Sequence, residues 1–334
     1  MPNAFGSLQA LLEATETYVF TINGFPYGAF HGTRVKEQVY APDWATPERR
    51  AYTGCLAELL VKLLSPDCNG SISTVPGTFK PWADGRIGRI VDNLIDQAVH
   101  LARLAEETGR TVTLALEPEP CCLLETISET VRFFEDHLYS RTAVAGFGKR
   151  TGLSGAVAEE ALRRHLGVCY DVCHAAVEFE DPSESLDALR SAGIEVSKLQ
   201  LSSALRIPNV NEDAVRQLSS FDEPTYLHQV VESGVQGMRR YQDLADALSQ
   251  ADRATGTEWR VHFHLPIFLA ETEAFSTTQS FLREVLRLHR HRPISPHLEV
   301  ETYTWEVLPE GYKTGGVSEA IARELQWVRH ELSQ

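Results

Sequence analysis

The chain has 334 residues, 43% hydrophobic and 23% charged, which is enough to bury a large core and too apolar for a mostly disordered protein. Acidic residues outnumber basic ones by 46 to 31, a formal net charge of -15, and a field of that sign repels polyanions, so nucleic acid is not expected as a partner. No run of about 18 apolar residues could cross a bilayer, the first residues carry neither a signal-peptide pattern nor a lipidation motif, and the six cysteines form no zinc-knuckle pairs, so a cytoplasmic protein with reduced thiols is expected.

Strand-like and helix-like stretches alternate along the chain. The aromatic and β-branched run 18–23 reads as a strand and leads into a long Gly-rich, aromatic segment, 24–44, without regular period. A helix is expected over 46–64, a strand over 69–75, and then a helix over 90–107, where apolar residues recur at three and four. The third strand is 111–118, with helices following over 126–139 and 156–166. The fourth strand is GVCYDV, 167–172, and the fifth is 194–202, reached through a helix over 183–192 that Gly193 ends. Strands at 225–231, 259–268 and 297–305 alternate with helices at 242–251, 279–291 and 319–332.

Eight strands separated mostly by helices favour parallel pairing through crossovers, and closing such a sheet removes its edges. The expected fold is therefore α/β, a (β/α)8 TIM barrel formed by residues 1–334 as one domain, with 24–44 as an unusually long loop. No Gly-rich dinucleotide fingerprint follows any strand, which weighs against an open dinucleotide-binding sheet.

In such a barrel the chemistry lies at the carboxyl ends of the strands. Glu117 and Glu119 end the third strand and Asp171 the fourth. Lys198 and Gln200 alternate on the fifth, His262 and His264 on the seventh, and Glu299 and Glu301 on the eighth. Each has an ordinary explanation: Glu119 as an exposed loop carboxylate, His262 as a hydrogen-bonded core imidazole, Lys198 and Glu299 as members of ion pairs. Together they suggest a cation site, because several ionisable groups at one rim are costly unless paired or metal-bound. Carboxylates mixed with imidazoles suit a divalent ion, Mn²⁺ or Mg²⁺ favoured by the number of carboxylates and Zn²⁺ left open. His174, three residues beyond Asp171, could reach the same pocket as a second-metal ligand, a substrate contact or a hydrogen-bond partner. His228 has a similar ambiguity.

The segments 114-LALEPEP-120, 171-DVCH-174 and 298-LEVETYTW-305 resemble the xylose isomerase-like TIM-barrel superfamily. The longer block 21-TINGFPYGAFHGTRVKEQVY-40, with 71-SISTVPG-77, is similar to the EboE metabolite-traffic proteins of the ebo cluster. The superfamily resemblance implies a metal held by Glu117, Asp171 and Glu301. Gln200 stands where those proteins commonly have a histidine, and His264 is the replacement ligand expected here. It further implies a divalent-metal-dependent isomerase or epimerase of a sugar or cyclitol-like polyol, with Glu117 and Glu301 moving the proton and Lys198 assisting at an oxyanion. His31, Arg34, His174, Gln200, His228, His262 and Trp305 are the substrate contacts expected, and Phe25, Tyr27, Phe30 and Trp44 an apolar wall. The cluster resemblance adds a role with a secondary-metabolite precursor, and pathway proteins of that cluster as partners. A metal-dependent hydrolase or phosphodiesterase is the alternative reaction, and a noncatalytic metabolite carrier the alternative class, favoured by Gln200 and opposed by the retained carboxylates.

Overall fold

The computed structural model describes residues 4–30, 32–271, 275–313 and 315–334. Among them the strands are β1 Thr21–Asn23, β2 Gly70–Thr74, β3 Val112–Leu116, β4 Leu166–Asp171, β5 Val196–Leu201, β6 Leu205–Ile207, β7 Val230–Gly234, β8 Gly237–Tyr241, β9 Glu258–Val261, β10 Ser276–Thr277 and β11 Leu298–Val300.

Strands β2 to β5 are buried along their whole length, the condition of strands covered on both faces. They lie in a parallel sheet ordered β1-β2-β3-β4-β5-β11. A Cβ on Gly167 would meet the Glu195 carbonyl oxygen at 2.7 Å, so a larger residue would push β4 away from β5. The helix Ile87–Thr108 buries Ile90, Leu94, Ile95, Ala98, Leu101 and Leu104 as its spacing predicts. It stops at Gly109, whose φ of 68° lets its N–H reach the Ala105 carbonyl. The sheet curls until side chains join its two ends: Ser71 Oγ lies 2.8 Å from His297 Nδ1, and Asn23 Nδ2 donates to Glu301 Oε1 at 2.7 Å.

The segments expected as the sixth and seventh barrel strands are arranged differently. The first contributes to β7 and the second to β9, and both belong to an antiparallel sheet ordered β10-β6-β9-β7-β8. This sheet lies in the chain between β5 and β11, and β11 pairs directly with β5. The reason is the length of the connections. Gly234 and Gly237 close a tight hairpin between β7 and β8, and the helix before β9 is only Leu244–Leu248, too short for the crossover that parallel pairing requires. The fold is thus mixed α/β, a curled six-stranded parallel sheet with an inserted antiparallel sheet; eight parallel strands are not what pairs among the described residues. Each sheet has its own apolar cluster, the second gathered around Trp259, Phe221, Phe263 and Phe275.

Candidate metal centre and pocket

The carboxyl ends of β3, β4, β5 and β11 bring one set of side chains together. Asp171 ends β4 and caps the helix Val172–Val177, its Oδ1 accepting from the His174 amide at 3.0 Å and from Ser202 Oγ at 2.8 Å. That cap sets the turn by which His174 comes back over the strand end. Across the sheet Gln200 is in register with Asp171 on one side and Glu299 on the other. Its Nε2 donates to Glu117 Oε1 at 3.2 Å and to Glu301 Oε2 at 2.5 Å. Glu117, Asp171 and Glu301 each offer an oxygen within 4.8 Å of the others.

Their protonation preferences diverge. Burial, helped by the charges of Glu301 and Asp171, pushes the Glu117 carboxyl well above the usual carboxylate range. Burial with the charges of Asp171 and Glu299 does the same to Glu301. Burial also acts upward on Asp171, but His174, His264 and the hydrogen bonds to the carboxylate outweigh it, and its pKa falls. Glu117 Oε2 and Asp171 Oδ2 are buried and have no hydrogen-bond partner among the described residues. Buried acceptors without donors are costly, and a cation is the partner that suits both.

The imidazoles add a second donor set. His174 Nδ1 lies 2.9 Å from the Pro118 carbonyl, His262 Nδ1 2.7 Å from Gln229 Oε1, and His264 Nδ1 3.1 Å from the Glu301 carbonyl. The Gln229 amide is oriented by its Nε2, which donates to Glu119 Oε1 at 3.1 Å and Pro120 O at 3.2 Å. Oxygens of this kind only accept, so each Nδ1 carries a proton, and a ring that holds no second proton leaves a lone pair on Nε2. Those Nε2 atoms converge, His174 to His262 at 3.1 Å and His262 to His264 at 3.2 Å. Nitrogens bound at about 2.0–2.1 Å in a tetrahedral zinc site stand about 3.3 Å apart. Burial, followed by the charges of His174 and His264, holds His262 well below the ordinary imidazole range, and burial lowers His264 to about 4. Asp171, His174 and His264 also meet within 4.8 Å, so Asp171 belongs to both donor sets. The residues present fit a divalent cation.

A cavity of about 260 Å³ opens over this cluster, with Glu117, Glu119, His174, His262 and Glu301 at the strand ends and Phe25, Phe30, Tyr226 and Tyr303 among its loop-borne walls. Tyr226 and Tyr303 escaped sequence reasoning as site residues. Glu119, which could have been an exposed loop carboxylate, is buried, accepting from Tyr40 Oη at 2.7 Å as well as from Gln229. No spacing links Tyr40, Glu119 and Gln229, although the EPE pair at the end of β3 was a signal for Glu119.

His264 and Gln200 belong to the cluster through Asp171 and the glutamates but do not line the cavity, and other expected residues stand elsewhere. Lys198 is fully buried lower in the sheet, paired with Glu299 and donating to Ser73 Oγ at 3.2 Å. His228 is buried between the His262 carbonyl, 3.0 Å from its Nδ1, and Glu223 Oε1, 2.9 Å from its Nε2. Arg34 is exposed on a neighbouring groove with Tyr27, and Trp305 packs in the apolar cluster of the antiparallel sheet. Neither lines the cavity: Arg34 opens onto the neighbouring groove, and Trp305, on the 3-10 turn Tyr303–Glu306, is taken up by apolar packing. Trp44 is core, its Nε1 donating to Thr74 Oγ1 at 3.1 Å. His31 lies outside the described residues.

No family model matches the chain, and no curated protein matches it. Among solved structures it is similar to a D-tagatose 3-epimerase-like protein, with 14% identity, coverage of 100% of this chain and 84% of that one, and a TM-score of 0.49. It is also similar to apo 3-keto-D-glucoside 4-epimerase YcjR from E. coli, at 12% identity, 98% and 85% coverage and a TM-score of 0.41. A third is the IolI protein with a binding zinc atom, at 13% identity, 98% and 82% coverage and a TM-score of 0.43. At these values the chemistry must be argued from the chain's own side chains.

Proposed function

We propose that this protein is a divalent-metal-dependent isomerase or epimerase acting on a sugar or cyclitol-like polyol. The observation that carries the reading is geometric: Glu117 and Glu301 are bridged by the Gln200 amide, and each offers an oxygen within 4.8 Å of the other and of Asp171. A carboxylate can remove a proton from carbon and its conjugate acid can return one, so two carboxyls beside one site suit exchange of a carbon-bound proton. Glu117, Asp171 and Glu301, with His174 and His264, would hold the ion, and the chemistry it would supply is polarisation of a substrate carbonyl. Carboxylates favour manganese or magnesium and the imidazoles favour zinc. His262, which lines the cavity, would orient a hydroxyl. Lys198 serves at a distance, through its ion pair. The N-terminal block's likeness to ebo-cluster proteins makes a secondary-metabolite precursor the first substrate to test and proteins of that pathway the first partners.

The test is solvent deuterium incorporation into ketoses and keto-cyclitols by NMR, with metal content measured in the same samples. Glu117→Gln and Glu301→Gln should each slow exchange by about 100-fold or more. Unchanged exchange and unchanged metal content in both variants would refute the assignment. A second reading, metal-dependent hydrolysis, is favoured by the converging Nε2 atoms beside the carboxylates, a donor set with room for two ions that share Asp171. Two bound ions with phosphate-ester cleavage and no exchange would select it.

A further inference from the structure

The cavity has two chemically different parts. At the strand ends it is lined by carboxylates and imidazoles; the loop-borne wall is Phe25, Pro26, Phe30, Val39 and Leu227, with the rings of Tyr226 and Tyr303. Phe30, Tyr226 and Tyr303 form one aromatic cluster, with ring centroids 4.9 Å, 5.5 Å and 5.2 Å apart. Tyr303 continues it inward, its centroid 4.7 Å from that of His264. An unbroken aromatic surface therefore runs from the imidazoles to the loop 24–44.

Three polar side chains along this wall, Lys36, Asn23 and Tyr40, are already engaged within the protein. Lys36 Nζ donates to the Glu223 carbonyl at 3.0 Å and to Asp243 Oδ2 at 2.6 Å. Asn23 donates to Glu301 and accepts from the Phe25 amide at 3.1 Å, and Tyr40 donates to Glu119. A plain sugar carries hydroxyls around its whole ring. Those on the side away from the carboxylates and beyond reach of the Tyr226 and Tyr303 hydroxyls would be buried against phenyl and aliphatic groups, at a cost of about tenfold or more in affinity for each. A nonpolar group in the same place would instead gain by leaving water.

We propose that the substrate is an amphiphilic polyol, with adjacent oxygens at one end seated over Glu117 and Glu301 and an aryl or alkyl substituent at the other packed on Phe25, Phe30 and Leu227. This rests on the polyol reading above and narrows it. The cavity, about 260 Å³, lies at the lower limit of small-molecule sites, which fits one polyol ring with a compact substituent.

The experiment is calorimetric titration of the full chain, with and without Mn²⁺, using methyl and phenyl β-D-glucopyranosides as probes that differ only in the substituent. The phenyl glycoside should bind at least about tenfold more tightly. Leu227→Asn should remove most of that preference, and Phe30→Ala, should Leu227→Asn fail to fold by thermal melting, should do the same. Equal affinity, preference for the methyl glycoside, no detectable binding of either, or a preference undiminished in the folded variant overturns the proposal. Deuterium exchange separates it from the functional reading. Equal glycoside affinity with exchange intact removes only the amphiphile, whereas a retained phenyl preference without exchange on any ketose removes the isomerase.

Discussion

Lys198 on β5 has no exposed surface, and its ammonium pairs with Glu299 while donating to Ser73 Oγ. Burial acts to lower its pKa, but Glu299, Cys169 and Glu117 outweigh burial and the net shift is upward. The lysine therefore holds charge within the sheet, and Ser73 in turn donates to Asn23 Oδ1 at 3.3 Å, the residue that donates to Glu301. Lys198→Met should cost about 2–4 kcal/mol in denaturant unfolding, somewhat under the range for a fully buried pair because the Glu299 side chain is 32% accessible. Adding Glu299→Gln should recover much of the loss. Glu180 supplies a pH test away from the metal ligands. Burial raises its carboxyl from 4.5 to about 7, so the fold binds that proton more tightly than the unfolded chain. Its stabilisation is complete below about 4.5 and is lost as pH rises through about 7. Glu180→Gln should be more stable than the parent on the alkaline side by about 1 kcal/mol, a discounted figure for a partly accessible group, and equal to it in acid.

At the scale of elements, one guanidinium ties together the two ends of the segment 24–44. Arg49, fully buried on the helix Pro47–Leu60, donates through Nη1 to the Gly24 and Phe25 carbonyls at 2.8 and 2.9 Å and through Nε to Pro42 O at 2.6 Å. These bonds satisfy carbonyls that no strand or helix pairs. Arg49→Met should destabilise the chain by about 2–4 kcal/mol and speed hydrogen exchange across the segment while leaving metal content unchanged. Protection that stays at the parental level there would disprove the anchoring role. The helix Ile87–Thr108 and strands β2 to β5 were legible because each buries a long periodic or continuous apolar run. The helix Val172–Val177 was not: its six residues are buried on all sides and carry no amphipathic stripe. Likewise 225–231 and 259–268 alternate as strands should, but alternation is the same for parallel and antiparallel pairing.

For the molecule as a whole, the carboxyls of buried Glu117 and Asp171 and half-buried Glu301 crowd one end of the curled sheet and repel one another when ionised, and a bound cation removes that repulsion only in the folded state. Mn²⁺ or Zn²⁺ at about 100 times its dissociation constant should therefore add about 2.7 kcal/mol, read as a melting point higher by a few degrees and reversed by a chelator. The effect should grow with rising pH, because Glu117 and Glu301 must release their protons to bind the ion. What the sequence determined by itself was local: where apolar periodicity makes an element, and that Glu117, Asp171 and Glu301 end strands. Tertiary structure alone decided that β11 pairs with β5, that Glu119 is buried and Lys198 is paired, and that three Nε2 atoms converge. Side-chain spacing along a strand reports which face a residue takes, whereas partners that stand 79 to 101 residues apart in the chain depend on the curl and order of the sheet.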